Sequence, residues 1–316
     1  MKILFIALII GVLLLSGCTS TGRVNDTNSD NNSVMGGEVN DSNFVVFVLP
    51  DTQVYSESHP DIFLSQTNWV KDNFDDYNAV FVVHEGDIVN NSGEERQWQN
   101  ASSAISVLSD NNIPFLLVPG NHDSASNPNS FFQKYFPPDF FEGKSWYKGN
   151  IGDNTSSYSV LNINGREFLF LGLDVCPDQN EISWANNIFS QNEEKYLVLV
   201  THGYLNENGE RSAGVCGNTQ YLWDDLIRLH KNLGLTLSGH MHGENYRVDP
   251  NDFNVEVNQL LADYQTMEKG GNGYLRVLTF VPSQNKIVVD TYSPYLDKYL
   301  ESEGSSFILD YNFNLN

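Results

Sequence analysis

Phe44-Val-Val-Phe-Val-Leu49-Pro-Asp51-Thr-Gln53 is the stretch on which the fold turns. An unbroken apolar run of this length is what a strand needs when both its faces are covered, as in a parallel sheet packed by helices. The run ends directly in a carboxylate and a carboxamide. The same pattern returns four times. Ala79–Val83 leads into His84-Glu85-Gly86-Asp87-Ile-Val-Asn90-Asn91, and Phe115–Val118 into Pro119-Gly120-Asn121-His122-Asp123. Tyr196–Val200 leads into Thr201-His202-Gly203, and Leu235–Leu237 into Ser238-Gly239-His240-Met241-His242. In open α/β sheets, ligands bind in the crevice beyond the C-terminal ends of the strands. Five polar clusters spread along the chain can therefore converge on one place.

Between these strands the apolar spacing becomes helical. Ile62, Gln66, Trp69, Val70 and Phe74 mark one helix over Ile62–Phe74, and Gln97–Leu108, Ile182–Ser190 and Gln220–Leu229 mark others. Ser157–Ile163 and Glu167–Leu173, joined by Asn164-Gly165-Arg166, have the form of a β-hairpin. A second hairpin is expected within Tyr274–Tyr292 around Pro282-Ser283-Gln284-Asn285. A βαβ opening with antiparallel additions argues for an α/β domain with mixed sheets.

The chemistry of the strand-end set is specific. Asp51, Gln53, Asp87, Asn121, His202, His240 and His242 offer two carboxylates, two amides and three imidazoles, with no thiol. That is an oxygen and nitrogen site for borderline or hard divalent ions. It holds more ligands than one tetrahedral ion can use, and one carboxylate can bridge two ions about 3.5–4 Å apart. Glycines before Asp87, Asn121 and His240 let the backbone turn tightly. Alternation along an extended strand end is expected to place His240 and His242 on one side.

The motifs Asp-x-Gln, Gly-Asp, Gly-Asn-His-Asp, His and Gly-His-x-His, in this order, resemble the calcineurin-like metallophosphoesterase superfamily over roughly Phe44 to Tyr295. The Pro-Asp-Thr-Gln opening is similar to that of its exported or envelope-associated prokaryotic members. The resemblance implies a layered α/β/β/α sandwich of two mixed β-sheets flanked by helices. It implies two divalent metal ions (manganese, iron or zinc) and hydrolysis of a phosphodiester or phosphomonoester by a hydroxide bridging them. Asp51, Gln53, Asp87 and His242 would hold one ion. Asp87, Asn121, His202 and His240 would hold the other. His122 and Asp123 would be the catalytic residues, His122 serving the leaving oxygen and Asp123 orienting the cage.

Two departures from the family pattern bear on the substrate. Gln53 stands where many members carry His, and an amide oxygen is a weaker donor, which favours a looser site or a harder ion such as manganese. Asn90-Asn91 stands where the protein-phosphatase branch has Asp-Arg, which argues against protein phosphatase activity and leaves a diester at least as well placed. Specificity is expected from the loops Pro128–Thr155 and Leu205–Thr219. Asn91 and Tyr204, with Tyr55 and Tyr264, are lesser candidates for the pocket rim. His84 is expected in the core or behind the site, His59 in a loop, and His230 on a solvated helix face. Trp69, Trp98 and Trp223 are expected on apolar helix faces. A rival function is a surface lipoprotein that binds metal or phosphate without turnover. His122, which metal binding does not need, separates the two.

Acidic residues outnumber basic ones 40 to 17, for a net charge of −23. No Lys/Arg cluster offers the phosphate contacts that nucleic-acid binding requires, so no nucleic-acid partner is expected. The N-terminus points to export. Lys2 precedes an apolar run, Ile3–Leu15, shorter than the ~20 residues that span a membrane. Leu15-Ser16-Gly17-Cys18 resembles a prokaryotic lipobox, which implies a lipid anchor on Cys18, or secretion if it is not used. The expected organisation is a signal peptide over 1–17, a Ser/Asn/Gly-rich tether over 18–42, the catalytic domain over 43–300 and a tail over 301–316. Cys176 and Cys216 remain, and in an oxidising compartment such a pair reads as a disulfide. Asn-x-Ser/Thr sequons stand at Asn25, Asn31, Asn40, Asn90, Asn100 and Asn154.

Overall fold

The structure, a computed structural model, describes residues 40–123 and 130–314. The expected leader, Cys18, the tether up to residue 39 and the sequons at Asn25 and Asn31 lie outside the described residues. In chain order the elements are β1 (Phe44–Leu49), α1 (Gln53–Ser58), α2 (Pro60–Asn73), β2 (Ala79–His84), α3 (Glu95–Asp110), β3 (Phe115–Leu117), α4 (Phe132–Tyr135) and α5 (Pro138–Phe141). Then follow β4 (Tyr147–Ile151), β5 (Ser156–Ile163), β6 (Arg166–Leu173), α6 (Gln179–Ser190), β7 (Tyr196–Thr201), α7 (Gln220–Asp225) and β8 (Leu233–Ser238). The chain continues through β9 (Gly243–Pro250), β10 (Glu256–Asp263), β11 (Leu275–Val281), β12 (Lys286–Ser293), β13 (Lys298–Tyr299) and β14 (Phe307–Asp310).

The strands form two seven-stranded mixed sheets. The first runs β13-β12-β11-β1-β2-β3, with β14 also on β12, and the second runs β4-β5-β6-β7-β8-β10-β9. β1, β2 and β3 are parallel, as are β6, β7, β8 and β10. The parallel strands therefore present their C-terminal ends together within each sheet.

β1 shows why an unbroken apolar run was needed. Phe44, Val46 and Val48 pack across the inter-sheet core with Phe81, Phe168, Phe170 and Val198. The alternate residues Val45, Phe47 and Leu49 pack against Ile62, Phe63 and Val70 of α2 and Trp98 and Ala101 of α3. On the far side Leu169, Leu171, Leu197 and Leu199 meet α6 and α7 through Ile182, Ala185, Phe189 and Leu222. Three cores between four layers give the expected α/β/β/α sandwich. Each fully buried side chain of this size stabilises by about 1.5–3 kcal/mol. α2 opens with Pro60, whose missing N–H costs nothing in a first turn. α6 opens with a capping box formed by Asp178 and Glu181.

Several expectations need correcting. The 301–316 stretch is not a separate tail: β14 pairs with β12, and Tyr311 and Phe313 are buried in the inter-sheet core. The end of the tether is also engaged, because Arg166 holds the Asp41 carboxylate and the Asn40 carbonyl. The expected helix Gln220–Leu229 breaks at Leu226, where the backbone leaves helical angles. His230 is buried, not solvated, and its Nε2 meets Asn186 Oδ1 at 2.8 Å. Asn154 is buried as well, between Tyr147 and Phe136, so that sequon is closed in the fold.

Candidate metal centre

All five strand-end signatures do meet. The Asp51 carboxylate beyond β1 accepts the backbone N–H of His240 beyond β8, and so joins the two sheets. Asp87 beyond β2 lies against His202 beyond β7, with Oδ1 3.2 Å from Nε2. Asn121 Oδ1 beyond β3 is 3.1 Å from the same nitrogen. Asp87, His202 and His240 can each bring a ligand atom within 4.8 Å of the others. The glycines serve close approach here. A Cβ on Gly120 would lie 2.1 Å from Asp87 Oδ1, and one on Gly239 would lie 2.2 Å from Asp51 Oδ1.

The hydrogen bonds around His202 decide what its Nε2 faces. Its Nδ1 lies 2.9 Å from the Glu85 carbonyl, which can only accept. Nδ1 therefore carries a proton. Burial would lower the ring's pKa, but the Asp87 charge beside it outweighs that and raises it, so Nε2 can be protonated as well. It points at two acceptor oxygens, from Asp87 and Asn121. Such a cluster needs a positive charge within it, either a second proton on His202 or a metal ion. Gln53 Oε1 tells the same story: it is buried and has no hydrogen-bond partner. The residues present therefore fit divalent ions.

Electrostatics agree. Burial, then the neighbouring Asp263 and Asp87, hold the Asp51 carboxyl well above its ordinary range. Burial would also raise Asp87, but the charges and hydrogen bonds of His202 and His122 outweigh it and keep Asp87 ionised. Burial and the nearby His202 push His240 down to about 4, so its ring is a neutral donor. A crowded set of carboxylates around a neutral His240 is stabilised by added positive charge.

His122 lies at the edge of this set. Its Nδ1 donates to the Asn90 carbonyl at 2.7 Å, which leaves Nε2 free, and its backbone N–H donates to Asp87 Oδ1 at 3.0 Å. A backbone carbonyl thus orients the imidazole, while the Asn90 side chain donates to Glu57 at 2.9 Å. Beside His122 is a cavity of about 510 Å³, lined by Glu57, Asn91, Glu94, Arg96 and Gln97 among others. Asn91 lines this cavity and is exposed.

Other assignments change. Asp123 is wholly buried and accepts backbone N–H groups from Ile88, Val89 and Gly120, each at 2.9 Å. It braces the Asp87 loop against the Asn121 loop and cannot touch a substrate, so it is a positioning residue and not a catalytic one. Tyr204 is also wholly buried, its hydroxyl donating to Gln259 and accepting from Arg211, which removes it from the rim. Tyr55 and Tyr264 are equally buried. The backbone at His240 is left-handed (φ 71°), not extended, so the strand alternation expected across His240 and His242 does not apply there. His242 is largely exposed, with Nε2 4.0 Å from Asp263 Oδ2. His84 sits behind the site, accepting from Gly86 N–H at 3.1 Å and donating to Thr52 Oγ1 at 2.9 Å.

The sequence reading passed over Asp263 and Gln265. Asp263 is buried at the end of β10. The signal was there, since Leu260-Leu-Ala262-Asp263 repeats the apolar run ending in a carboxylate.

Cys176 and Cys216 are disulfide-bonded across 40 residues. The bond anchors the turn that carries Val215, whose N–H lies 3.5 Å from His240 Nε2. Among the described residues no helix is long and apolar enough to cross a membrane.

Comparison with known proteins fits this geometry. YvnB of Bacillus subtilis (strain 168), an uncharacterized protein, is 36% identical over 256 residues, which are 78% of this chain. The chain spans only 20% of that relative's length. A dimetal phosphatase from Danio rerio has a similar fold, with a TM-score of 0.54 at 10% identity over 85% of this chain and 99% of its own. A purple acid phosphatase from yellow lupin (Lupinus luteus) seeds gives 0.53 at 14% identity, over 88% of this chain and 55% of its own. The model of the calcineurin-like phosphoesterase family matches residues 44–244, which contain every strand-end signature. The chain belongs to the calcineurin-like phosphoesterase family.

Proposed function

We propose that this chain hydrolyses a small phosphoester at a site for two divalent metal ions, and that it does so outside the cytoplasm. The observation that carries the reading is the cluster of Asp87, His202 and His240, whose ligand atoms lie within 4.8 Å of one another where the strand ends meet. Asp51, Gln53, Asp87 and His242 would hold one ion, and Asp87, Asn121, His202 and His240 the other. Ions bound there would supply Lewis acidity to the phosphoryl oxygens and lower the pKa of water.

The chain's own groups complete the chemistry. His122, held by the Asn90 carbonyl, presents Nε2 to the cavity and can give a proton to the leaving oxygen. The cavity lining opposes two carboxylates, Glu57 and Glu94, to one guanidinium, Arg96. That balance is better suited to a singly charged diester than to a doubly charged monoester. The disulfide supports a site of action in an oxidising compartment, in keeping with the lipobox-like Cys18.

The test is metal analysis of the purified protein and turnover of mono- and diester substrates with added manganese. Two ions per chain and manganese-dependent turnover abolished by Asp87→Ala would support the reading. Metal uptake without turnover would favour the silent metal-binding lipoprotein. Release of unlipidated protein carrying an intact leader would refute the anchor.

A further inference from the structure

Gln53, like Asn121, is among the weakest donors of the set, and only one end of its amide is useful to a cation. Its oxygen is buried without a partner, and its nitrogen donates to Gln265 Oε1. Gln265 in turn is fixed from the other side. Its backbone N–H donates to Asp263 Oδ1 at 2.8 Å and its Nε2 donates to Asp263 Oδ2 at 2.9 Å. The polarity of this chain of bonds is set at one end. A carboxylate only accepts, so Gln265 must turn its nitrogen toward Asp263 and its oxygen toward Gln53. That oxygen can only accept, so Gln53 must turn its nitrogen toward Gln265 and its own oxygen away.

We propose that Gln265 is a positioning residue for the first metal ion. With Asp263 it locks the Gln53 carboxamide so that oxygen, and not nitrogen, is presented to the ion. The inference rests on the two-ion reading above. It goes beyond that reading by assigning a role to two residues outside every strand-end motif. Without Gln265 the amide can rotate, and half of its orientations place an N–H donor against the cation. Groups that orient metal ligands typically govern affinity by about 10–100-fold.

The experiment is a titration of the metal-free full chain with Mn2+ alone, by calorimetry, for the unaltered protein, Gln265→Leu, Gln53→Ala and the double variant. The expected result is two ions on the unaltered chain, with Gln265→Leu weakening one of them by about tenfold or more and sparing the other. In the Gln53→Ala background, Gln265→Leu should change nothing further. A merely structural role for Gln265 would lower affinity equally whether or not Gln53 is present, and that result overturns the proposal. Gln265→Met, closer in shape, replaces Gln265→Leu if the latter lowers the metal-free unfolding temperature. If two ions bind and Gln265→Leu alters neither, only this inference fails. If fewer than two bind, the two-ion reading fails, and the positioning role is decided by whether Gln265→Leu still weakens the remaining ion through Gln53. If none binds, both fail.

Discussion

Asp51 and His240 hold the two sheets together at the crevice: both Asp51 oxygens accept the His240 backbone N–H, at 3.3 and 3.2 Å. A proposed metal ligand is here also the clasp between β1 and β8. The two roles can be separated, because the clasp needs an acceptor oxygen while the ion needs a negative charge.

Asp51→Asn makes that separation. Burial and the charges of Asp263 and Asp87 raise the Asp51 carboxyl well above its ordinary value. An acid raised on folding lowers stability as pH climbs past its unfolded value, so the metal-free protein gains at neutral pH when the charge is removed. We expect Asp51→Asn to stabilise the metal-free fold at neutral pH. Saturating manganese should reverse the order, since an ion present at a hundred times its Kd adds about 2.7 kcal/mol, which the variant forfeits at this site. Thermal unfolding in EDTA and in manganese measures both. A variant less stable than its parent in EDTA would contradict the electrostatic account.

His122→Ala should keep both ions and lose turnover, by about 10²–10⁴-fold in kcat, the range for a positioned general acid. Asn90 orients His122 through its main chain, not its side chain. Asn90→Ala should therefore leave kcat nearly unchanged. Parallel metal analysis and single-substrate kinetics would show it, and a large kcat loss in Asn90→Ala would disprove the carbonyl's role.

The contrast between these residues shows what the sequence could and could not disclose. Asp51, Asp87, Asn121, His202 and His240 were legible because each follows an apolar run, the usual composition of a strand buried on both faces. β9 was not legible, since it is an edge strand whose residues alternate only between half-buried and exposed. β10 was obscured by Asn258 and Gln259, polar residues buried mid-strand because Gly234, Asp310 and Asp249 supply their partners. The loss of β10 concealed Asp263. Gln53 and Gln265 lie 212 positions apart, and no local pattern announces that pair. Tyr204 looked like a rim residue until Arg211 and Gln259 drew its hydroxyl inside.

The Cys176–Cys216 bond closes a loop of 40 residues. Chain-entropy reasoning gives about 4 kcal/mol for a loop of that length, as an upper bound. A Cys176→Ser/Cys216→Ser variant should melt at a clearly lower temperature. It should also lose activity at temperatures where it stays folded, because the turn bearing Val215 lies against His240. Calorimetry and manganese-dependent turnover below the transition test the two parts separately. Full activity in the folded variant would limit the bond to a stabilising role.

The remaining prediction concerns acid and lies far from the metals. Burial pushes His230 down from its ordinary value near 6.5 to about 4, and its Nε2 is engaged with Asn186 Oδ1. A histidine lowered on folding is neutral in the native state but takes up a proton when unfolded. Acid therefore favours the unfolded chain. The penalty begins as pH falls through 6.5, grows until about 4, and is constant below that. His230→Gln keeps a donor for Asn186 and has no proton to gain, so its stability should fall less steeply over that window. Denaturant unfolding at pH 7, 6, 5 and 4.5, in EDTA to exclude metal effects, gives the two slopes. Parallel curves would show that His230 already titrates normally in the folded protein.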